Sequence, residues 1–249
     1  MTPRAAYLLA GATATGKSAV AALLAREMGA AILSADSMLV YSGMNIGTAK
    51  PTPEERREFR MGGVDLVTPA EEFSAGEWLR RASAWAATIP PETPIIVVGG
   101  TGLYFTALLR GLDAPWSNPP PEYPVLRMDR ALLRTRLHKR IDKMFTDGLE
   151  AEATKLRAQY PSWSRTASAA IGYKEFITPP SVPGRSVKDE IYYRTSKFAK
   201  RQDTWFRHQS TPLWIDAAED AVATADRVRE LWRSHGPWMI AFNHETIKP

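Results

Sequence analysis

Short unbroken apolar runs along this chain alternate with segments whose apolar residues recur at helical spacing. Tyr7-Leu8-Leu9-Ala10 is the first such run, and it ends at Gly11. Residues 17–28 follow, rich in Ala and Leu at helical spacing, and close at Gly29, a helix stop signal. Ala30 to Leu33 is a second apolar run, ending at Ser34-Ala35-Asp36. Residues 38–52 are irregular, punctuated by Gly43, Gly47 and Pro51. Ser74 is placed to cap a helix running through Ala87, with Trp78, Leu79, Ala82, Trp85 and Ala86 on one face. The clearest buried strand is Pro94-Ile95-Ile96-Val97-Val98, which runs into Gly99-Gly100-Thr101-Gly102, with another helix from about Leu103. Strand–helix alternation of this kind predicts an α/β fold with a parallel, doubly wound sheet.

The second half reads differently. Residues 113–124 hold a Pro-Pro-Pro run and further prolines, a stiff composition that predicts a connector rather than a helix or a central strand. Beyond it, Leu133, Leu137, Ile141, Met144 and Phe145 form one apolar stripe, with Arg134, Arg136, Lys139, Arg140 and Lys143 largely off it. A second basic helix is predicted over about 187–208, then a strand at Pro212-Leu213-Trp214-Ile215-Asp216 and a helix near 219–233. The predicted organisation is a core over residues 1–112, a Pro-rich connector over 113–126, and a basic helical part over 127–249. The last strand and helix of that part return to complete the core.

Composition narrows the chemistry. The 249 residues contain no Cys, so disulfides, thiolate zinc sites and thiol catalysis are excluded. The four His are not paired at ligand spacing, which speaks against a His-built metal site. No apolar run reaches the ~18 residues of a membrane-spanning helix. The first residues lead straight into the first strand, so no secretory signal is expected and the cytoplasm is the expected compartment. The net charge of +5 is unevenly spread. Residues 1–125 carry 10 Lys and Arg against 12 Asp and Glu, and residues 126–249 carry 22 against 15. The C-terminal half is therefore the candidate surface for a polyanion.

Gly11-Ala12-Thr13-Ala14-Thr15-Gly16-Lys17-Ser18 matches the phosphate-loop pattern in full, and it sits between a predicted strand and a predicted helix. The backbone of such a loop aims N–H groups at phosphate oxygens, and the helix N-terminus adds its dipole. Lys17 supplies a point charge, and the Ser18 hydroxyl can ligate Mg²⁺. The fold is accordingly expected to be P-loop NTPase-like, with additional C-terminal helices. A nucleotide-hydrolysing P-loop protein usually carries a second strand ending in an acid. Here the strongest strand ends in Gly-Gly-Thr-Gly, and only the Ala30–Leu33 run leads to an acid, Asp36. Position alone leaves Asp36 open as a Mg²⁺ partner, a base or a turn cap.

Four ordered motifs over about residues 7–207 resemble the tRNA dimethylallyltransferase (tRNA isopentenyltransferase) family. They are the P-loop with Asp36-Ser37-Met38-Leu39-Val40-Tyr41 through Gly47-Thr48-Ala49-Lys50-Pro51, then Gly99-Gly100-Thr101-Gly102-Leu103-Tyr104. Ala170-Ile171-Gly172-Tyr173-Lys174-Glu175 is the third, and Ala199-Lys200-Arg201-Gln202 with Thr204-Trp205-Phe206-Arg207 is the fourth. The resemblance implies a Mg²⁺-dependent prenyltransferase. It moves a dimethylallyl group from dimethylallyl diphosphate to N6 of adenine-37 in a tRNA anticodon stem-loop, so that the P-loop holds a prenyl diphosphate. It implies that Asp36 is the general base and that Thr101 stands near the reacting centre, bonding the bridging oxygen or orienting the base. A helix cap is the plain structural role for Thr101, compatible with both. The resemblance also implies that Lys200 and Arg201 touch diphosphate or RNA, that Asp36, Ser37, Met38, Leu39, Thr101, Arg194, Lys197 and Gln202 face the tRNA, and that Gln202 fixes geometry within the site. Trp205 and Phe206 are expected in the core. A monomer is expected.

The sequence departs from that pattern in three places. Leu39 stands where the family carries a Gln that helps read the substrate. Met61 and Gly62 stand where paired His are common. The connector at 113–124 replaces a helical insertion that covers part of the anticodon arm. The last of these, with Leu39, favours prenylation of a free adenine nucleotide as the alternative activity. The basic C-terminal half and the fourth motif favour tRNA. A small-molecule P-loop kinase has no lid-type Arg cluster matched to a motif. A degenerate RNA-binding relative is argued against by the retained Lys17, Ser18, Asp36 and Thr101.

Overall fold

The computed structural model describes residues 3–112, 119–178, 180 and 182–242. Strand β1 (Arg4–Gly11) leads through the glycine-rich loop into helix α1 (Lys17–Met28), which stops at Gly29 in the left-handed region. Strand β2 (Ala31–Ser34), helix α2 (Pro53–Glu58), strand β3 (Met61–Gly62) and helix α3 (Ala75–Ala87) follow. Ser74 caps α3 by accepting the Glu77 N–H, as its position predicts. Strand β4 (Ile95–Gly99) turns into helix α4 (Gly102–Arg110). The C-terminal half adds strand β5 (Glu122–Arg127), helices α5 (Arg130–Thr146), α6 (Leu149–Gln159), α7 (Arg165–Ser168) and α8 (Val187–Gln209), strand β6 (Thr211–Asp216), helix α9 (Ala221–His235) and strand β7 (Trp238–Ile240).

The strands form one sheet in the order β3-β2-β4-β1-β5-β6, all parallel, with β7 antiparallel to the lower end of β1 at Arg4 to Ala6. Every residue of β4 is buried, as a strand covered on both faces requires. Its side chains alternate between two cores. Ile95 and Val97 face the layer of α3, α4 and α8, while Ile96 and Val98 face α1 and α9. Among the described residues, no helix is long and apolar enough to cross a membrane.

The connector is shorter than the proline pattern predicts. Residues 113–118 lie outside the described residues, but Glu122–Arg127 is a strand between β1 and β6, so the predicted connector over 113–126 ends too late. Proline normally argues against a central strand because it has no N–H to give. Here the β1 ladder engages only Val125 and Leu126, so Pro124 stands ahead of it. Tyr123, Val125 and Leu126 are fully buried, and this burial fixes the strand. β6 and α9 return to the sheet and its core, as expected of the last strand and helix, and β7 joins the same sheet. The pattern reading also passed over α2, α6, α7, β3 and β7. The strands have only two and three residues, and α6 has an apolar face of Leu149, Ala153 and Leu156.

Candidate active site

The glycine-rich loop folds around its own second residue. The Thr15 hydroxyl donates to the Ala12 carbonyl at 2.9 Å, and Lys17 Nζ lies 3.3 Å from the same oxygen. Gly16 has φ 92, which lets the chain turn into α1. A Cβ at Gly16 would lie 2.9 Å from Arg136 Nη1, which places the α5 guanidinium against the loop. The Thr13 N–H donates to Gln202 Oε1 at 2.9 Å, and Gln202 Nε2 donates to the Gly100 carbonyl at 3.0 Å. One buried amide from α8 thus ties the loop after β1 to the loop after β4.

The segment after β2 is pinned to that second loop. Ala35 N–H donates to the Val98 carbonyl at 2.8 Å, and Thr101 N–H to the Ala35 carbonyl at 3.1 Å. Asp36 Oδ1 accepts the Met38 N–H at 2.9 Å, a turn cap that still leaves the carboxylate at the cavity wall. Thr101 occupies the cap position of α4 but makes no capping bond with its side chain. Its hydroxyl accepts the Ser37 N–H at 2.9 Å and donates to Ser37 Oγ at 3.2 Å. Thr101 is therefore a positioning residue for the Asp36-Ser37 segment. Its side chain plays no part in capping the helix.

Two cavities meet at this segment. The larger, about 460 Å³, is lined by Asp36, Ser37, Met38, Arg165, Ile171 and Arg201 among others. The smaller, about 160 Å³, contains Lys17, Ser18, Leu39 and Met61 on its wall. Thr13, Asp36, Thr48 and Arg140 line both. Burial lowers the Lys17 ammonium to about 8, the Asp36 charge opposing the shift and Arg140 adding to it. Burial lowers Arg140 too, again opposed by Asp36. Two cations and one carboxylate thus share a partly dehydrated junction. Ser34 Oγ, on the smaller cavity, is buried without a hydrogen-bond partner among the described residues.

The third motif acts on the 43–50 loop. Tyr173 donates to Glu152 Oε1 at 2.6 Å and accepts the Gly47 N–H at 3.1 Å. Glu152 Oε1 also accepts the Ile46 N–H at 2.9 Å. Burial and the Glu152 carboxylate push the Tyr173 hydroxyl well above its ordinary range, so it remains a donor. This clamp sets Gly47 and Thr48 on the cavity wall.

The fourth motif does not act as one patch. Arg201 lines the larger cavity, but Lys200 lines only an outer depression along α8 with Lys197, Thr204, Trp205 and His208. Neither Lys200 nor Arg201 lines the P-loop cavity, although Arg201 lines the larger cavity that adjoins it. Successive helix residues point about 100° apart, so adjacency in sequence does not give a shared face. Phe206 is fully buried, as expected, and Trp205 packs partly buried against the core. Arg194 turns inward to buried Glu190 at 2.7 Å and Glu175 at 3.4 Å rather than to an RNA surface. Gln202 is committed to backbone on both sides of its amide, which fixes geometry within the site, and it also lines the larger cavity. Leu39 lines the P-loop cavity and not the larger one. Arg136, Arg140, Thr48, Glu152 and Arg165 were missed as site residues. Arg136 and Arg140 were visible only as basic positions off a helical stripe.

Among the described residues, no cluster of three or more His, Asp or Glu is arranged to hold a metal. The P-loop cavity carries the Ser18 hydroxyl and the Asp36 carboxylate as oxygen donors, beside the hydroxyls of Thr13, Ser34 and Thr48.

Residues 39–124 and 120–209 match the IPP transferase family model, and residues 4–61 match that of isopentenyl transferases. The chain belongs to the IPP transferase family. It is 31% identical to a tRNA dimethylallyltransferase of a Picosynechococcus species, over 84% of this chain and 92% of that one. It is 28% identical to the tRNA dimethylallyltransferase of Trichormus variabilis, over 91% of this chain and 97% of that one. That alignment runs over 292 positions, more than the 249 residues here, so the relative carries segments this family member lacks. The family match itself breaks at 120–124, just where β5 begins. The fold is similar to that of a Staphylococcus epidermidis tRNA isopentenylpyrophosphate transferase, with TM-score 0.78 and 23% identity over 93% of this chain and 99% of that one. A eukaryotic dimethylallyltransferase acting on tRNA gives 0.74 at 19% identity, over 95% and 81%.

Proposed function

We propose that this family member transfers the dimethylallyl group of dimethylallyl diphosphate to N6 of adenine-37 in a tRNA anticodon stem-loop, releasing diphosphate. The observation that carries this reading is the meeting of two cavities at Asp36, one built on the phosphate loop and one beside the 165–172 segment and α8. A donor in the first and an adenine in the second present their reacting atoms to the same carboxylate. An adenine stacked in a loop must be flipped to enter, and Ile141, Met144 and Phe198 give the larger cavity apolar faces for it.

As the N6–C1 bond forms, the allylic C–O bond breaks and diphosphate leaves with its electron pair. The loop N–H groups, Lys17 and Arg140 face that growing charge from fixed positions in a site where water is scarce. Asp36 takes the proton that N6 loses. Thr101 and Gln202 hold the two loops that set this distance. Mg²⁺ fits the donor set, since such hard cations take oxygen ligands and combine few protein groups with substrate phosphates. Ser18 would hold it, and when bound it neutralises diphosphate charge. The outer depression of Lys197, Lys200, Arg201 and His208 is suited to backbone phosphates of the stem, a sequence-independent and salt-sensitive grip.

A second reading, prenylation of a free adenine nucleotide, is favoured by the segments that the relatives carry and this chain lacks. One assay separates the two. The protein is incubated with labelled dimethylallyl diphosphate and Mg²⁺, offering an anticodon stem-loop, AMP and ATP in separate reactions. Label in the stem-loop supports tRNA modification. Label in AMP or ATP alone refutes it in favour of the nucleotide. Phosphoryl transfer from ATP without prenyl transfer assigns a kinase.

A further inference from the structure

A carboxylate and a fully buried phenol stand just outside both cavities. Glu152 comes from α6 and Tyr173 from the turn after α7, and neither lines the space a substrate would enter. Their polar atoms converge instead on one short stretch of backbone. Besides the Ile46 N–H, Glu152 Oε1 accepts that of Asn45 at 3.2 Å and that of Gly47 at 3.5 Å, a nest of successive amides around one anion. The Tyr173 ring lies directly on this backbone, since a Cβ at Gly47 would come within 2.5 Å of it. The Thr48 hydroxyl closes the turn from within by donating to the Met44 carbonyl at 2.6 Å. What the turn delivers to the site is the Thr48 carbonyl, which accepts Arg140 Nη2 at 3.3 Å. Among the described residues Arg140 makes no other hydrogen bond, although its guanidinium carries five N–H donors in a rigid fork. The orientation of this cation, which lines both cavities, therefore follows the position of one carbonyl.

We propose that Glu152 and Tyr173 are positioning residues for Arg140. By fixing the turn at 45–48 they set the Thr48 carbonyl, and through it the guanidinium, where the leaving diphosphate gains charge. The inference rests on the prenyl-transfer reading and adds to it two residues that touch neither donor nor acceptor. The physical basis is preorganisation. A cation held in place before the C–O bond breaks needs no reorganisation as charge develops. A displacement of about 1 Å at such a site can cost about a hundredfold in rate. Hydrogen bonds to an ionised carboxylate are the strong, short kind, so the turn is stiffest just before the carbonyl that Arg140 uses.

The test is a double-mutant cycle on the full chain with Mg²⁺, a stem-loop acceptor and dimethylallyl diphosphate. Tyr173→Phe keeps the ring and removes the hydroxyl. It should lower kcat about 10–10²-fold while KM for the donor stays within about twofold, the mark of an interaction made in the transition state. Glu152→Gln, which removes the anion, should do the same. Arg140→Met should lower kcat about 10²–10³-fold. Adding Tyr173→Phe to Arg140→Met should then cost little more, because residues that act through one another are not additive. Losses that multiply overturn the proposal, and so does a wild-type kcat in Tyr173→Phe. If Tyr173→Phe melts without a cooperative transition, the cycle is run with Glu152→Gln and judged the same way. If the wild-type protein transfers no prenyl group, the prenyl-transfer reading fails, and calorimetry with inorganic diphosphate decides the positioning role alone. Inorganic diphosphate carries the charge the leaving group gains, so Tyr173→Phe should weaken its binding about tenfold on the wild-type background and leave it unchanged on Arg140→Met. Equal weakening on both backgrounds, or none on either, overturns the proposal.

Discussion

The loop at residues 11–18 and the helix segment at 199–207 are both contiguous motifs, yet they build the site in opposite ways. The loop turns around the Ala12 carbonyl, so Thr15 and Lys17 converge on one oxygen and the backbone between them forms a single cradle. The helix disperses its residues. Gln202 points inward to two backbone groups, Arg201 reaches the larger cavity, Lys200 faces an outer depression and Phe206 lies in the core. A motif on a loop marks one location, whereas a motif on a helix marks several tasks joined by one backbone. The fourth motif supplies the residue that holds the phosphate loop.

Four experiments sharpen that contrast. The largest effect is expected at the junction. Asp36→Ala should lower turnover by roughly 10²–10⁴, the usual contribution of a positioned base, while inorganic diphosphate still binds in calorimetry. Collapse of that binding would make Asp36 a structural or metal residue instead.

Next is Lys17→Met, which should lower kcat/KM by about 10²–10³, the scale of losing one preorganised charge partner. Lys17 also predicts a pH dependence. With its ammonium lowered to about 8 in the free protein, it is charged below that pH and neutral above it. A neutral amine attracts diphosphate less, so KM for the donor should climb as pH rises through 8. A flat profile to pH 9 would show that Lys17 does not hold the head group.

Gln202→Leu tests whether the helix acts on the loop from a distance. It leaves the Thr13 N–H and Gly100 carbonyl without their partner, a loss of about 1–3 kcal/mol in stability for buried groups. Turnover should fall with it, with little change in tRNA affinity at fixed salt. Weakened tRNA binding with unaltered stability would return Gln202 to the RNA surface. The smallest effect belongs to Lys200→Ala. It should weaken stem-loop binding severalfold and reduce the slope of affinity against salt by about one ion, with KM for the donor unchanged. A change in donor KM would restore the diphosphate role.

Much of the scaffold was legible because local rules and burial agree. The apolar runs at 7–10, 30–33 and 94–98 became β1, β2 and β4, since strands buried on both faces need continuous hydrophobicity. Gly29 stopped α1 and Ser74 started α3 through their own backbone chemistry. Pro124 misled for an equally physical reason. A missing N–H normally ends a central strand, and only the ladder that starts at Val125 shows why it does not matter here. Glu152 and Tyr173 lie far from residues 46 and 47 in sequence, and their bonds to that loop leave no local pattern to read.

The sequence by itself determined the phosphate loop, the parallel α/β order, Asp36 at a strand end and the excess of cations in the second half, because each depends on neighbouring residues or on simple counts. Only the tertiary structure decided which cations reach the site and what each motif residue touches. Arg140 and Arg136 stand at the loop while Arg194 is held by Glu190 and Lys200 lies outside. Thr101 secures Ser37, and Leu39 joins Met61 on one wall. Those assignments depend on helix rotation and on how distant segments pack, and the chain order of residues carries neither.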